Sequence, residues 1–259
     1  MKMKRMPVIF SGHGDPMIAI REDEVTRGMA KVGSDLIAKY GKPKAILSIS
    51  GHWYTDHTAV QSAQEPKQIY DMYGFPQKLY EVKYPVKGCT ELTEQVQQLL
   101  GDKVKIDDSW GIDHGTWTVL VHMFPDADIP VVQLSIDQHL SPQECYEIGE
   151  QLASLRKRGY LIFGSGNVVH NLMEVNWRKK DGTDMTVSFN NAIVDAVLSG
   201  DIDTVINFDK LEHNRYAVPT LEHYLPLLYC MGAAEGEPVE VFNNICNLGS
   251  MSMTGFIFG

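Results

Sequence analysis

Four short apolar runs, at 7–11, 45–50, 131–136 and 160–164, set the tightest limit on what this chain can fold into. They lack the in–out alternation of a half-exposed strand, so they read as strands buried on both faces. Between the last two lies a well-marked helix. Ser141 can cap it, Pro142 suits its first turn, and Glu144 completes a capping box. Cys145, Ile148, Leu152 and Leu155 then fall on one face, and Gly159 is the expected stop. Strand, helix and strand at this spacing form a parallel crossover unit. Further helices are expected over 90–100 and 189–198, with 181–184 as a turn. No internal repeat or low-complexity linker divides the chain. The expectation is one α/β domain spanning 1–259, with a mostly parallel central sheet flanked by helices.

Composition narrows the function classes. The net charge is −10, from 23 Lys and Arg against 33 Asp and Glu, which argues against nucleic acid or an anionic membrane as partner. No stretch approaches the ~18 apolar residues of a membrane span. The N-terminus is basic, but the apolar run after it, 7–10, is too short for a signal core. Cys89, Cys145, Cys230 and Cys246 form no C-x-x-C pair and read as reduced thiols, so a cytoplasmic protein is expected.

Ligands of open α/β sheets bind beyond the carboxyl ends of the strands. Three expected strand ends each deliver a histidine there: His13 in 11–16, His52 in 50–53 and His170 after Gly164-Ser165-Gly166. A lone histidine in a turn is usually only a polar residue near solvent. Three at equivalent positions are the raw material of a divalent metal site. The Gly164 loop is not a dinucleotide fingerprint, because Val169 stands where the third glycine belongs, and no phosphate-binding G-K-S/T loop exists. His114 sits at an expected helix start between Trp110 and Trp117, where it could hold a phenolate oxygen or simply cap and pack. Glu222 and His223 are adjacent, so on a helix only one of them can face a given ion, and the residues leave that choice open. His57, His122, His139 and His213 have no such context and read as surface or core residues. Three nitrogens, or two nitrogens and a carboxylate, suit a non-haem iron oxygenase or a zinc hydrolase.

Seven segments then place the chain in a family. They are GHGDPM at 12–17, SGHW at 50–53, YGFPQKLYEVKYP at 73–85, WGIDHGTW at 110–117, FPDADIPVVQLSID at 124–137, GSGNVVHNL at 164–172 and PTLEHYLPLLY at 219–229. Together they resemble the LigB-type class III extradiol ring-cleavage dioxygenases, in particular the 4,5-DOPA extradiol branch, over nearly the full length. Asp15 stands where the family usually has Ser, and Gly51 where it usually has Ala. The resemblance implies metal ligands at His13, His52 and His223, with His170 as acid–base catalyst that could also reach the metal. It implies that His114 contacts substrate and takes part in catalysis. Fe(II) is expected for activity and Zn(II) as the ion found on purification. The implied substrates are O2 and a DOPA-like catechol, and the product a semialdehyde. The aromatic loop 70–80 and Trp53 could wall the ring, but ordinary core or lid packing is the preferred reading of them. Two alternatives stand beside it: a zinc-dependent hydrolase using the same histidines, and a Memo-like binding protein without catalysis, which need not keep all four of His13, His52, His170 and His223.

Overall fold

A computed structural model describes residues 5–259; the basic stretch at 1–4 lies outside the described residues. The strands are β1 (Val8–Gly12), β2 (Ala45–Thr55), β3 (Ala59–Val60), β4 (Lys105–Ile106), β5 (Val131–Asp137), β6 (Tyr160–Gly166), β7 (Val239–Phe242), β8 (Cys246–Asn247), β9 (Met251–Ser252) and β10 (Gly255–Phe258). Eight of them form one sheet in the order β4-β3-β5-β2-β6-β1-β10-β7. Its centre, β5-β2-β6-β1, is parallel, as expected from the four apolar runs. The sequence reading missed the antiparallel flank: β10 pairs with β1, and β7 with β10.

Side chains alternate between two cores. Val8, Phe10, Leu47 and Ile162 pack on one face with helices Pro142–Leu152 and Leu225–Ala234. Ile9, Ile46, Leu161 and Phe163 pack on the other with helices Glu24–Tyr40 and His114–Met123. Burial on both faces is why these strands carry few polar residues.

Several boundaries differ from expectation. The Ser141 capping box is present, but the helix breaks at Ala153 and resumes over Ser154–Lys157, before Gly159 turns the chain with φ of 94°. The helix expected at 189–198 runs Asp184–Ser199, because Thr183 caps it by accepting the Thr186 amide; Asp184 therefore belongs to the helix and not to a turn. The segment holding Glu222 and His223 is a turn and not a helix. Pro226 occupies the first turn of Leu225–Ala234, where its missing N–H costs nothing. Among the described residues, no helix is long and apolar enough to cross a membrane. All four cysteines are free thiols.

Candidate metal centre

The carboxyl ends of the central strands gather five histidines. His13 follows β1 directly. His52 lies within β2 and not beyond it, because the strand runs on to Thr55. Its pairing with β5 slips between Ile49 and Tyr54, where five residues of β2 advance against two of β5. That irregularity frees 50–53 from the β5 ladder and lets the ring of His52 turn into the cleft. His170 comes from the loop after β6, and His223 from the turn before helix Leu225–Ala234. His114 is the first residue of helix His114–Met123, whose N-cap is Asp113.

Three of these rings converge. His13 Nε2 lies 3.2 Å from His52 Nε2, and His52 Nε2 lies 3.3 Å from His223 Nε2. The opposite nitrogens face acceptors outside the cluster. Ser165 Oγ donates to the Gly115 carbonyl, so it accepts from His13 Nδ1 at 3.0 Å. His223 Nδ1 meets Glu222 Oε1 at 3.2 Å, and His52 Nδ1 lies 3.2 Å from Asp71 Oδ2. With each proton drawn to Nδ1, three Nε2 lone pairs point at one another. Such an arrangement calls for a cation. Nitrogens 2.0–2.1 Å from a tetrahedral ion stand about 3.3 Å apart, so the donor set fits a single divalent ion.

Ligand atoms of His13, His52 and His114 lie within 4.8 Å of one another, as do those of His170, Glu222 and His223; the His52–His223 contact joins the two groups. His170 stacks face to face on His223, with centroids 3.6 Å apart and planes 6° from parallel. The Glu222 carboxylate sits behind His223, accepting from Thr220 Oγ1 at 2.7 Å. Of the adjacent pair, His223 is thus the one whose ring enters the cluster. Two glycines allow this. A Cβ at Gly166 would stand 2.1 Å from the His223 carbonyl, and one at Gly51 2.8 Å from the Glu222 carbonyl. With hydrogens there instead, the 222–223 backbone seats directly against the irregular part of β2 and the end of β6.

The electrostatics follow from burial and crowding. Burial, then the neighbouring imidazoles, hold His13 well below the ordinary histidine pKa, and the same causes lower His223. His170 is lowered to about 2, first by burial and then by His223 and His52. Burial also opposes the charged form of His52, but contact with Asp71 and the charges of Asp113 and Glu222 raise it on balance. Burial likewise works against the Asp71 carboxylate and is outweighed by His114 and His52, so it stays ionised.

Asp71 is the functional residue that sequence reasoning missed. Its Oδ1 accepts the His114 amide at 2.9 Å and lies equally close to His114 Nδ1. The ring N–H is not aimed along that second contact, which leaves His114 Nδ1 buried without a well-directed partner. A second unpredicted group is Asp113, fully buried, which accepts from Ser50 Oγ at 2.8 Å, Trp110 Nε1 at 3.1 Å and Gln133 Nε2. It ties the β2 irregularity to the start of the His114 helix. Among the other histidines, half-buried His122 meets the Ile18 carbonyl at 2.8 Å, a packing role.

The cluster floors a cavity of about 280 Å³, close to the lower end of the roughly 300–1,000 Å³ typical of small-molecule sites. Met72, Tyr73 and Phe75 wall it, so the aromatic loop does face the cleft; Trp53 is buried elsewhere. A larger hollow of about 450 Å³ lies at the opposite ends of the strands, around Pro7, Tyr40 and Gly259. It holds no histidine, and open sheets of this type bind ligands at the carboxyl edge.

Known proteins match along the whole fold. Residues 7–259 match the family described as the catalytic LigB subunit of aromatic ring-opening dioxygenase. A 4,5-DOPA dioxygenase extradiol of Escherichia coli (strain K12) is 40% identical, over all of this chain and 97% of its own. One from Beta vulgaris is 36% identical, over 96% of this chain and 95% of its own. The crystal structure of an uncharacterized protein from Escherichia coli K12 superposes with a TM-score of 0.85 at 38% identity, covering 98% of this chain and all of that one. The chain therefore belongs to the LigB family of aromatic ring-opening dioxygenases, and it is an oxidoreductase of that kind.

Proposed function

We propose that the protein cleaves a catechol, DOPA included, beside its diol, inserting both atoms of O2 to give a semialdehyde carboxylate. The observation that carries this reading is the convergence of three Nε2 lone pairs whose Nδ1 protons are all drawn outward. His13, His52 and His223 would hold the ion. Glu222 supports His223 from behind and is not itself a ligand. His170, stacked face to face on His223, would serve as proton carrier beside the three ligands. Fe(II) bound there would acidify the catechol hydroxyls and pass electrons between ring and O2, chemistry for which Zn(II) has no accessible redox state. Zinc in a purified sample fits the same reading, because nitrogen sites bind it more tightly than Fe(II).

The side chains do the rest. His170, held neutral by its burial, is in the form that can take the proton released from a catechol hydroxyl. The approach of an anionic substrate oxygen raises its basicity at that moment. Returning that proton assists O–O cleavage. His114, at a helix N-terminus beside the cluster, hydrogen-bonds a substrate oxygen and steadies it for ring opening. Met72, Phe75 and Met251 keep bulk water from the ring. Four free thiols support a reducing, cytoplasmic setting. The dioxygenase names of the relatives favour this reading over the hydrolase and the Memo-like module.

The test is oxygen uptake by anaerobically prepared protein loaded with Fe(II) and offered catechols, with absorbance followed for a yellow product. Uptake matched to product with Fe(II), and none with Zn(II), is expected. Absence of uptake at confirmed iron occupancy, across a panel of catechols, would overturn the reading. His13→Ala, His52→Ala and His223→Ala should lose metal. Glu222→Ala should weaken metal binding without abolishing it, and His170→Ala should keep metal but lose turnover.

A further inference from the structure

Resting on the ring-opening reading, we propose that Asp15 is a specificity-determining residue: its carboxylate receives the ammonium on the 4-substituent of a catechol amine or catechol amino acid. Asp15 lies two residues past His13 and lines the cavity together with the histidines. Among the described residues no Lys or Arg lines that cavity; the histidines apart, its charged side chains are Asp15 and Asp71. Asp71 is engaged by His52, by His114 and by the His114 amide. Asp15 is the carboxylate left to meet a ligand. It is 5% exposed, so little water competes for it. It also stands where the family usually has Ser, which makes the charge a feature of this chain.

The partners of Asp15 leave room for one more donor. The Met17 amide donates to Oδ1 at 2.9 Å, and Arg21 Nη2 donates to Oδ1 at 3.0 Å and to Oδ2 at 2.7 Å. A carboxylate oxygen accepts two hydrogen bonds, so Oδ1 is filled and Oδ2 has an acceptor position left. Nor does Arg21 cancel the charge. Its Nε lies 3.7 Å from Asp23 Oδ2. One guanidinium is therefore shared between two carboxylates, and the three groups together stay negative. Glu22 and Glu24 are exposed on the same stretch. Arg21 thus orients the Asp15 carboxylate, and the acidic stretch around it still attracts a cation.

The mouth of the cavity suits the same head group. Tyr73 and Trp177 are 93% and 63% exposed there, and aromatic faces attract a cation and not an anion. In DOPA the carboxylate shares a carbon with the ammonium. With the ammonium on Asp15, the carboxylate stays at the mouth in water. Arg178 and Lys180, exposed just after Trp177, add a favourable potential for it. An amino-acid head is accepted whole, and its ammonium is the part that Asp15 reads.

Two matched pairs of probes isolate the ammonium. 3-(3,4-Dihydroxyphenyl)propionate is DOPA without it, and 4-ethylcatechol is dopamine without it. With the Fe(II) protein, kcat/KM should be about tenfold or more higher for the amine in each pair, because a hydrogen bond between charged groups is lost with the amine. Most of the difference should fall in KM. Asp15→Asn keeps an acceptor for the Met17 amide but drops the charge, and Asp15→Ser puts a hydroxyl in its place. Each should narrow both ratios about fivefold or more. Ratios taken within one variant cancel a general loss of folding or activity. The Zn(II)-filled protein, which binds without turnover, should show the same preference in Kd by titration calorimetry, and lose it in Asp15→Asn. Equal handling of the paired compounds by the unaltered protein would overturn the proposal, as would a preference that persists in both variants. An Asp15-dependent preference in the zinc form without ring opening by the iron form would refute the ring-opening function and leave the ammonium site standing. Ring opening without the preference would do the reverse. Absence of catechol binding in either form would refute both.

Discussion

Replacing Asp71 with asparagine removes a charge while keeping a side chain of the same shape. In the folded protein the two carboxylate oxygens lie 3.2 Å from His52 Nδ1 and 2.9 Å from His114 Nδ1, and one of them accepts the His114 amide at 2.9 Å. Asparagine can keep that backbone bond through its own Oδ1, so the anchor of the His114 helix survives. What it lacks is the negative charge that holds the proton of His52 on Nδ1 and makes Nε2 the more basic donor. Removing such a partner from behind a metal-bound imidazole typically costs about 10–100-fold in metal affinity, or about 1.4–2.8 kcal/mol. The same carboxylate faces His114, so kcat should fall further even when metal is saturating. The affinity is read by competition with a chromophoric chelator, and ligand geometry by the visible spectrum of the Co(II)-substituted protein. Asp71→Ala serves as the comparison: it also gives up the backbone bond and should cost about 1 kcal/mol more in folding stability. A purely structural role predicts a stability loss with unchanged metal affinity. If Asp71→Asn binds metal within threefold of the unaltered protein and turns over at the same saturated rate, the coupling through Asp71 is refuted.

Three other perturbations have expected outcomes. Gly166→Ala would place a methyl 2.1 Å from the His223 carbonyl, which itself accepts the Asn167 amide at 2.8 Å. Neither backbone can yield easily, so a loss of about 1–3 kcal/mol in a urea titration, together with weakened metal retention, is expected. Arg156 is 1% exposed and donates to the Met6 carbonyl at 2.7 Å, the Ala233 carbonyl at 2.9 Å and Glu237. Arg156→Ala strands those acceptors and should cost about 3–5 kcal/mol, visible as a lower urea midpoint. Burial pushes the Cys145 thiol up from about 9 to about 12. The unfolded chain therefore releases this proton first as pH rises: the stabilising contribution is complete below pH 9 and is lost progressively between 9 and 12. The urea midpoint should fall from pH 8 to pH 10 by more in the unaltered protein than in Cys145→Ala, and iodoacetamide should leave native Cys145 unlabelled at pH 8.

The parts of this molecule legible in its sequence are those where one local rule decides the outcome. Burial on both faces wrote β1, β2, β5 and β6 as plain apolar runs, and the carboxyl-edge rule then put His13 and His170 at the cleft. His52 was found for a partly wrong reason. Its ring reaches the cleft through a slip in strand pairing between Ile49 and Tyr54, which no periodicity records. The antiparallel flank escaped because β7 and β10 are four residues each and sit among turns. Asp71 escaped because its partners lie far along the chain, at His52 and His114, and its loop has no repeating pattern; the only local sign was an acidic residue within an aromatic run.

The Glu222–His223 pair shows most clearly where local rules stop. Adjacency says that only one of the two can face an ion, and it does not say which. The choice is made by backbone contacts: hydrogens at Gly51 and Gly166 let the 222–223 peptide press against the irregular part of β2 and the end of β6. Pressed there, the chain sends the His223 ring inward to within 3.3 Å of His52 and leaves Glu222 on the outer side, where its carboxylate faces His223 Nδ1. The same contacts thus decide which ring enters the cluster and place a carboxylate behind it. A methyl at position 166 would disturb both at once, so in Gly166→Ala the metal affinity should fall even in molecules that remain folded. Retention of full affinity by folded Gly166→Ala would show that the selection lies elsewhere.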